Sequence, residues 1–160
     1  MKRPLFALLA AAAWIPAAGS GLAGQTGEEE VLAVVRQLFD GMRAADSAAV
    51  RGVFHPAAQL FGTGERDGAP NVNVIPADRF VQAVGGATGG WDERIWDPAV
   101  QIDGNLATVW TPYVFYLNGE FSHCGVDAFL LARTPAGWKI VSLADTRRRD
   151  GCPDPPPSAR

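Results

Sequence analysis

Residues 106–146 read LATVWTPYVFYL-NG-EFSHCGVDAFLLART-PAG-WKIVSLADT, and the fold turns on this stretch. Three runs rich in aromatic and β-branched residues are separated by Asn118-Gly119 and by Pro135-Ala136-Gly137. Asn-Gly readily adopts the left-handed backbone of a two-residue hairpin turn, and the Pro/Gly cluster turns the chain again. The expectation is an antiparallel meander of Leu106–Leu117, Phe121–Arg133 and Trp138–Thr146. Just upstream, Ile95–Ile102 looks extended, with Pro98 marking a bulge or an edge. Asp103-Gly104 then turns the chain into Leu106.

Further upstream the period changes to that of a helix. Val31, Val34, Val35, Leu38, Met42 and Ala45 recur at helical spacing, so one stripe should face a core. Thr26-Gly27-Glu28-Glu29 has capping-box spacing and predicts the helix start. Asp46 or Ser47 can cap a second, shorter helix, which His55-Pro56 stops because the residue before proline leaves the helical region. Ala57–Phe61 reads as a short strand, and residues 62–75, rich in Gly, Pro and Asn, as a loop. A third helix starts at Pro76, shows Phe80, Val81 and Val84 on one side, and ends at Gly85-Gly86. Helices gathered on one face of an antiparallel sheet make an α+β domain.

The chain has 160 residues, room for one ordinary domain, and a net charge of −3. No basic tract suggests nucleic-acid binding. Lys2 and Arg3 precede Leu5–Ile15, an unbroken apolar run of eleven residues bracketed by Pro4 and Pro16. Small residues follow, with Gly21-Leu22-Ala23 as a cleavage stretch. The reading is a signal peptide over 1–23, a domain over 24–150 and a Pro-rich, unpacked tail over 151–160, exported to the periplasm or secreted. Removing the leader leaves 12 basic against 17 acidic residues, a net charge of −5. Eleven apolar residues fall short of the roughly 20 needed to span a bilayer, so no stable membrane anchor is expected. An oxidising compartment makes a disulfide the natural reading of the two cysteines, Cys124 and Cys152, with two unpaired thiols as the alternative.

The element order and particular residues resemble the nuclear-transport-factor-2-like (NTF2-like) superfamily, the SnoaL-like and ketosteroid-isomerase-like cone folds. The resemblance is carried by the first helix running into Ala45-Asp46-Ser47, the Phe54-His55-Pro56 step into a strand, and the Gly137-Trp138-Lys139-Ile140-Val141 hairpin. It covers about residues 28–147. It implies a curved antiparallel sheet wrapped around a long N-terminal helix with two shorter helices, and a pocket at the open end. The superfamily spans isomerases, lyases, cyclases and members with no known reaction, so the fold leaves the function open. Matched by position, Phe129 stands where the isomerase keeps an oxyanion-hole aspartate, Gly62 where its general base sits, and Leu38 where its tyrosine sits. Steroid isomerase chemistry is therefore not expected.

Counting residues outward from the two turns puts Trp110, Val114, Tyr116, His123, Asp127, Phe129, Leu131, Ile140, Ser142 and Ala144 on one face. The position of Phe129 marks that face as concave. A slip of one residue would invert it. Asp127 interrupts a small and apolar run, so its carboxyl should be partly desolvated, with a raised pKa suited to general acid–base work. His123, four residues earlier on the same face, is its candidate partner. Trp110, Val114, Tyr116, Phe129 and Leu131 are candidate ligand-binding walls. The plainer alternative makes Asp127 a backbone-bonding residue and His123 a surface one. His55 reads as a structural hydrogen-bonding residue, and Trp91 and Trp96 as rim or core residues that could also lid the mouth. Arg147-Arg148-Arg149 reads as a solvated strand end answered by Asp145 and Asp150. Two distant histidines give no metal-ligand spacing, and neither metal nor cofactor is expected. Three functions stay open. One is a binding protein for a small, largely apolar molecule. A second is a cofactor-free lyase, cyclase or isomerase using Asp127. The third is a homodimeric interaction module joined through the outer sheet face, read here as Val109, Tyr113, Phe115, Val126, Leu130 and Val141.

Overall fold

The structure, a computed structural model, describes residues 20–159; the expected leader lies outside them up to residue 19. Helix α1 (Ser20–Arg43) is followed by α2 (Ser47–Val53), a hairpin of β1 (Phe54–Arg66) and β2 (Ala69–Pro76), and α3 (Ala77–Gly85). Then come β3 (Trp91–Ile95), β4 (Ala99–Asp103), β5 (Leu106–Leu117), β6 (Glu120–Thr134) and β7 (Gly137–Thr146). The α+β class and the NTF2-like cone stand as expected. The seven strands form one sheet in the order β2-β1-β7-β6-β5-β3, with β4 also paired to β5. The β1–β7 pair is parallel and the others are antiparallel.

The sheet wraps α1, whose Val31, Val35, Leu38, Phe39 and Met42 are all buried. They meet Val109, Phe129, Leu131 and Ile140 of the sheet in one core. Fully burying each such side chain is worth roughly 1.5–3 kcal/mol, so this stripe fixes the position of the helix. Asp46 caps α2 by accepting hydrogen bonds from the amides of Ala48 and Ala49, as the sequence suggests.

Four local expectations are corrected. Helix α1 begins at Ser20, so Thr26 is internal rather than its N-cap; the backbone is already helical when it reaches the capping-box residues. The stretch 62–75 is not a loop but most of the β1–β2 hairpin. Its turn is Asp67-Gly68, both with positive φ (55° and 75°), the two-residue geometry that Asp-Gly favours. The single strand expected over Ile95–Ile102 is two. Asp97 at φ 45° and Pro98, which has no N–H, interrupt the ladder, so β3 and β4 pair separately with opposite ends of β5. The tail is packed in part: Cys152, Pro155, Pro156 and Ala159 are half-buried. Cys124 and Cys152 form a disulfide, and Arg148 exchanges backbone hydrogen bonds with Cys124. Both links hold the tail to β6.

Candidate functional site

The hairpin ends pair as the turns dictate, Leu117 with Glu120 and Arg133 with Trp138. Between them two bulges shift the register. Ser122 is extra on β6, so Phe115 faces His123 while Tyr116 faces Phe121. Val141 is extra on β7, so Leu130 faces Ser142 while Leu131 faces Ile140. Each bulge turns the partner strand over by one residue. Asp127 therefore lies between Thr111 and Asp145, not between Trp110 and Ala144.

The true inner face is organised in rows that run across the sheet. One row is Val109, Phe129, Leu143, Leu60 and Ile75. The next, two residues along each strand, is Thr111, Asp127, Asp145, Gly62 and Asn73. The first is wholly apolar, and the second is polar apart from its glycine. A cavity of about 340 Å3 opens at this boundary. Leu38, Phe39 and Met42 of α1, Phe80 of α3, and Leu60, Ile75 and Leu143 form its apolar wall. Asp127, Glu93, Asp145, Arg147, Asn71, Asn73, Thr63 and Glu65 supply the polar side. Gly62 leaves space there: a Cβ on it would sit 3.4 Å from an Asp145 carboxyl oxygen.

Asp127 is 1% exposed, and its Oδ2 has no hydrogen-bond partner among the described residues. Glu93, on the edge strand β3, is partly exposed as a residue and turns its carboxyl inward within hydrogen-bonding reach of Asp127. Two ionised carboxylates are acceptors only, so the pair can be bonded only when one of them holds a proton. Burial pushes Glu93 up to about 7, the charge of Asp145 adds to this, and the bond to Asp127 works the other way. Burial, then the charge of Glu93, raises Asp127 well above the usual carboxylate range. The two titrate as one unit that retains a proton into the neutral range.

The rest of the floor is better satisfied. Arg147 Nε donates to Asp145 Oδ2 at 2.6 Å, as expected for the strand end. The Tyr113 hydroxyl donates to the Thr146 carbonyl at 2.8 Å and lies 3.5 Å from Asp145 Oδ2. Burial and the neighbouring carboxylates raise its pKa. This strand crossing is tight, since a Cβ on Gly125 would lie 1.8 Å from the Thr146 carbonyl oxygen.

Of the residues singled out in the sequence, Asp127 lines the cavity. His123 shares its face but packs against the rings of Tyr113 and Phe115 at 5.7 and 5.0 Å, outside the lining. Burial, then Arg147, lowers its pKa. Phe129 and Leu131 are inward but lie in the dry core, Phe129 edge-on to Phe39. Trp110, Val114 and Tyr116 are on the opposite face because of the Ser122 bulge. Trp110 is 57% exposed, Val114 is buried beside Cys124, and Tyr116 lies under Arg94. The outer-face set is corrected likewise, since Val109, Tyr113 and Phe115 point inward. His55 accepts the Ala57 amide through Nδ1, and Trp91 packs between Phe80 and Phe115. Glu93 is the principal residue the sequence reading passed over. Its signal was in Trp91-Asp92-Glu93-Arg94-Ile95, where alternation puts Glu93 on the face of two apolar residues. Among the described residues no cluster of three His, Cys, Asp or Glu side chains has the arrangement to hold a metal ion.

Solved structures with the same fold share little sequence with this chain. An NTF2-like protein with a cystatin-like fold from Novosphingobium aromaticivorans superposes with a TM-score of 0.65 at 18% identity, over 81% of this chain and 86% of that one. An NTF2-like protein of unknown function from Shewanella baltica gives 0.62 at 16% identity, over 79% and 97%. A protein from Streptomyces avermitilis, described as a "putative dehydratase" of the NTF2-like family, gives 0.63 at 16%, over 78% and 98%. No functionally curated protein matches the sequence significantly. A family model described as "Putative lumazine-binding" matches residues 26–144, most of the domain. The chain belongs to that family, built on the NTF2-like fold.

Proposed function

We propose that the cavity binds a small, largely apolar molecule anchored at Asp127. The observation that carries this reading is the unpartnered Oδ2 of a buried carboxyl whose residue lines a cavity with one apolar and one polar side. An orphaned buried polar group costs about 1–3 kcal/mol, and a ligand donor would recover that loss. The family description, "Putative lumazine-binding", supports small-molecule binding. A thermal-shift screen of wild type beside Asp127→Asn tests it. The expected result is a set of compounds that raise the wild-type melting temperature by several degrees and lose that effect in the variant. Equal responses of both proteins would remove Asp127 from the site.

The shared proton of Glu93 and Asp127 favours a second reading, a cofactor-free lyase, cyclase or isomerase. Asp127 would be the general acid or base, and Glu93 the partner assigned to His123 from sequence. A pair of carboxyls pushed apart in pKa is suited to giving and taking one proton. The structural neighbour described as a "putative dehydratase" is in keeping with that chemistry. Under this reading Asp127→Asn abolishes turnover while substrate affinity changes little.

Export and self-association complete the proposal. The disulfide suits an oxidising compartment, and among the described residues no helix is long and apolar enough to cross a membrane. Fractionation of cells producing the full chain should find it outside the cytoplasm, shortened by about the leader. The outer sheet face carries a row of Ala99, Trp110, Ala128, Ala144, Phe61 and Val74, all apolar and adjacent across six strands. Such a face suits a homodimer, and sedimentation velocity at rising concentration tests for one.

A further inference from the structure

The charges around the cavity restrict its occupant more than its size does. Glu65, Glu93, Asp127 and Asp145 line it, and among the described lining residues Arg147 is the sole cation. That cation is already engaged by Asp145. Asn71, Asn73 and Thr63 add neutral polar groups, while α1 and α3 present only apolar side chains to the cavity. Even with one proton shared between Glu93 and Asp127, the lining is negative. An anionic ligand would meet repulsion from these carboxylates.

Two observations turn this acidity into a specific recognition site. Asp127 is buried, faces the cavity and has an unused acceptor oxygen. Its neighbour Glu93 completes a carboxyl pair that is joined only by a proton. A cation placed there would replace that proton, leaving both carboxylates ionised and both bonded to it. A charge-assisted hydrogen bond is roughly twice as strong as a neutral one, and here it would form at a desolvated site. The opposite wall offers Leu38, Phe39, Met42 and Phe80 to an apolar body. At a native packing density of about 0.75, the cavity of about 340 Å3 has room for roughly 15–18 non-hydrogen atoms.

We propose that the ligand is a protonated amine on a compact apolar body, and that its ammonium group displaces the proton shared by Glu93 and Asp127. The inference rests on the reading of the cavity as a ligand site. The step balances: the carboxyl pair gives one proton to solvent, the ammonium takes its place, and no covalent bond forms.

Three probes of one shape, 2-naphthylmethylamine, 2-naphthylmethanol and 2-naphthoic acid, test it by calorimetry at pH 7.5 in buffers of differing ionisation enthalpy. The expected result is amine binding at least tenfold tighter than the alcohol, no binding of the acid, and release approaching one proton per amine bound. Asp127→Asn and Glu93→Gln, each checked for a cooperative melt, should bring the amine down to the affinity of the alcohol and abolish proton release. Alcohol binding as tight as amine, or amine preference surviving in both variants, overturns the inference while leaving the cavity a binding site. Failure of all three probes to bind, with no melting shift for any, overturns the inference and the binding reading together.

Discussion

Two neighbouring rows of the same strands, about 7 Å apart, behave as different materials. The row of Val109, Phe129, Leu143, Leu60 and Ile75 is apolar and packs under α1. The row of Thr111, Asp127, Asp145, Gly62 and Asn73 carries a buried carboxyl with an unused oxygen. Both rows belong to one sheet with one twist, so strand geometry does not account for the difference. Helix α1 does. Its apolar stripe packs over the Val109 and Phe129 end of the first row, whose Leu143, Leu60 and Ile75 form the apolar wall of the cavity, and the second row supplies Asp127, Asp145 and Asn73 to its polar side. The dry row is organised for stability, and the wet row retains an unsatisfied group that stability alone would remove.

Substitutions should separate the two rows by sign as well as size. The largest effect is expected in the dry row. Phe129→Ala removes a ring packed edge-on to Phe39, and emptying such a buried site costs about 3–5 kcal/mol. A urea titration would show this as a large drop in midpoint. A loss under about 1 kcal/mol would mean that the row is not the core. Next in size is the tail link. Cys124 and Cys152 are separated by 28 residues, and removing a bridge of that span with Cys152→Ser should cost roughly 3–4 kcal/mol by the chain-entropy account. Reduction of the wild type should give a similar fall in melting temperature.

How much of this contrast was legible in the sequence follows from its physical origin. The meander, the α1 stripe and the Asp46 cap are local signals and appear where the residues put them. Asp127 stood out because a carboxylate in an apolar run is anomalous in any register. Its neighbours did not, because their identity depends on two bulges. Neither Ser122 nor Val141 is a glycine or proline that would mark a break in the ladder, so the two bulges left no signal in the sequence. Counting from the turns therefore selected Trp110 where the fold places Thr111, and Ala144 where it places Asp145. The β1–β2 hairpin was obscured by its Gly and Asn content, although Asp67-Gly68 followed by Val72, Val74 and Ile75 announces it. Those small and polar residues face the cavity, so the composition that hid the strands belongs to the site.

In the wet row the expected sign reverses. Asp127→Asn keeps the shape of the side chain and removes the ionisation. Glu93 and Asp127 have folded pKa values raised above their unfolded values. Their favourable contribution is therefore complete below about pH 4 and is lost as the pH climbs through about 7, the value reached by Glu93. His123 acts in the opposite sense, because its lowered pKa disfavours the folded state below about pH 6.5. The variant should melt higher than wild type at pH 8, by about 3 °C or more, and near the wild-type value at pH 4.5. One kcal/mol corresponds to roughly 2–4 °C for a chain of this size. Melting curves from pH 4.5 to 8 check this, and a variant less stable than wild type at pH 8 would place the Asp127 charge among the stabilising groups of the fold.

The smallest effect on stability is expected one residue from the cavity floor, on the other side of the sheet. Trp110 neighbours Thr111 in sequence, yet it is 57% exposed where Thr111 is buried. Trp110→Glu changes a large apolar side chain for a charged one, and in an isolated protomer it should shift stability by no more than about 0.5 kcal/mol. At low micromolar concentration its melting temperature should match that of wild type within about 2 °C. At high concentration the two should part in sedimentation velocity, with wild type associating and the variant remaining monomeric, because a charge in the middle of an apolar row opposes burial against a second copy. A fall of more than about 5 °C in the dilute variant would instead make the outer row part of the core. The contrast between filled and unfilled space would then have to be drawn across the sheet rather than along it.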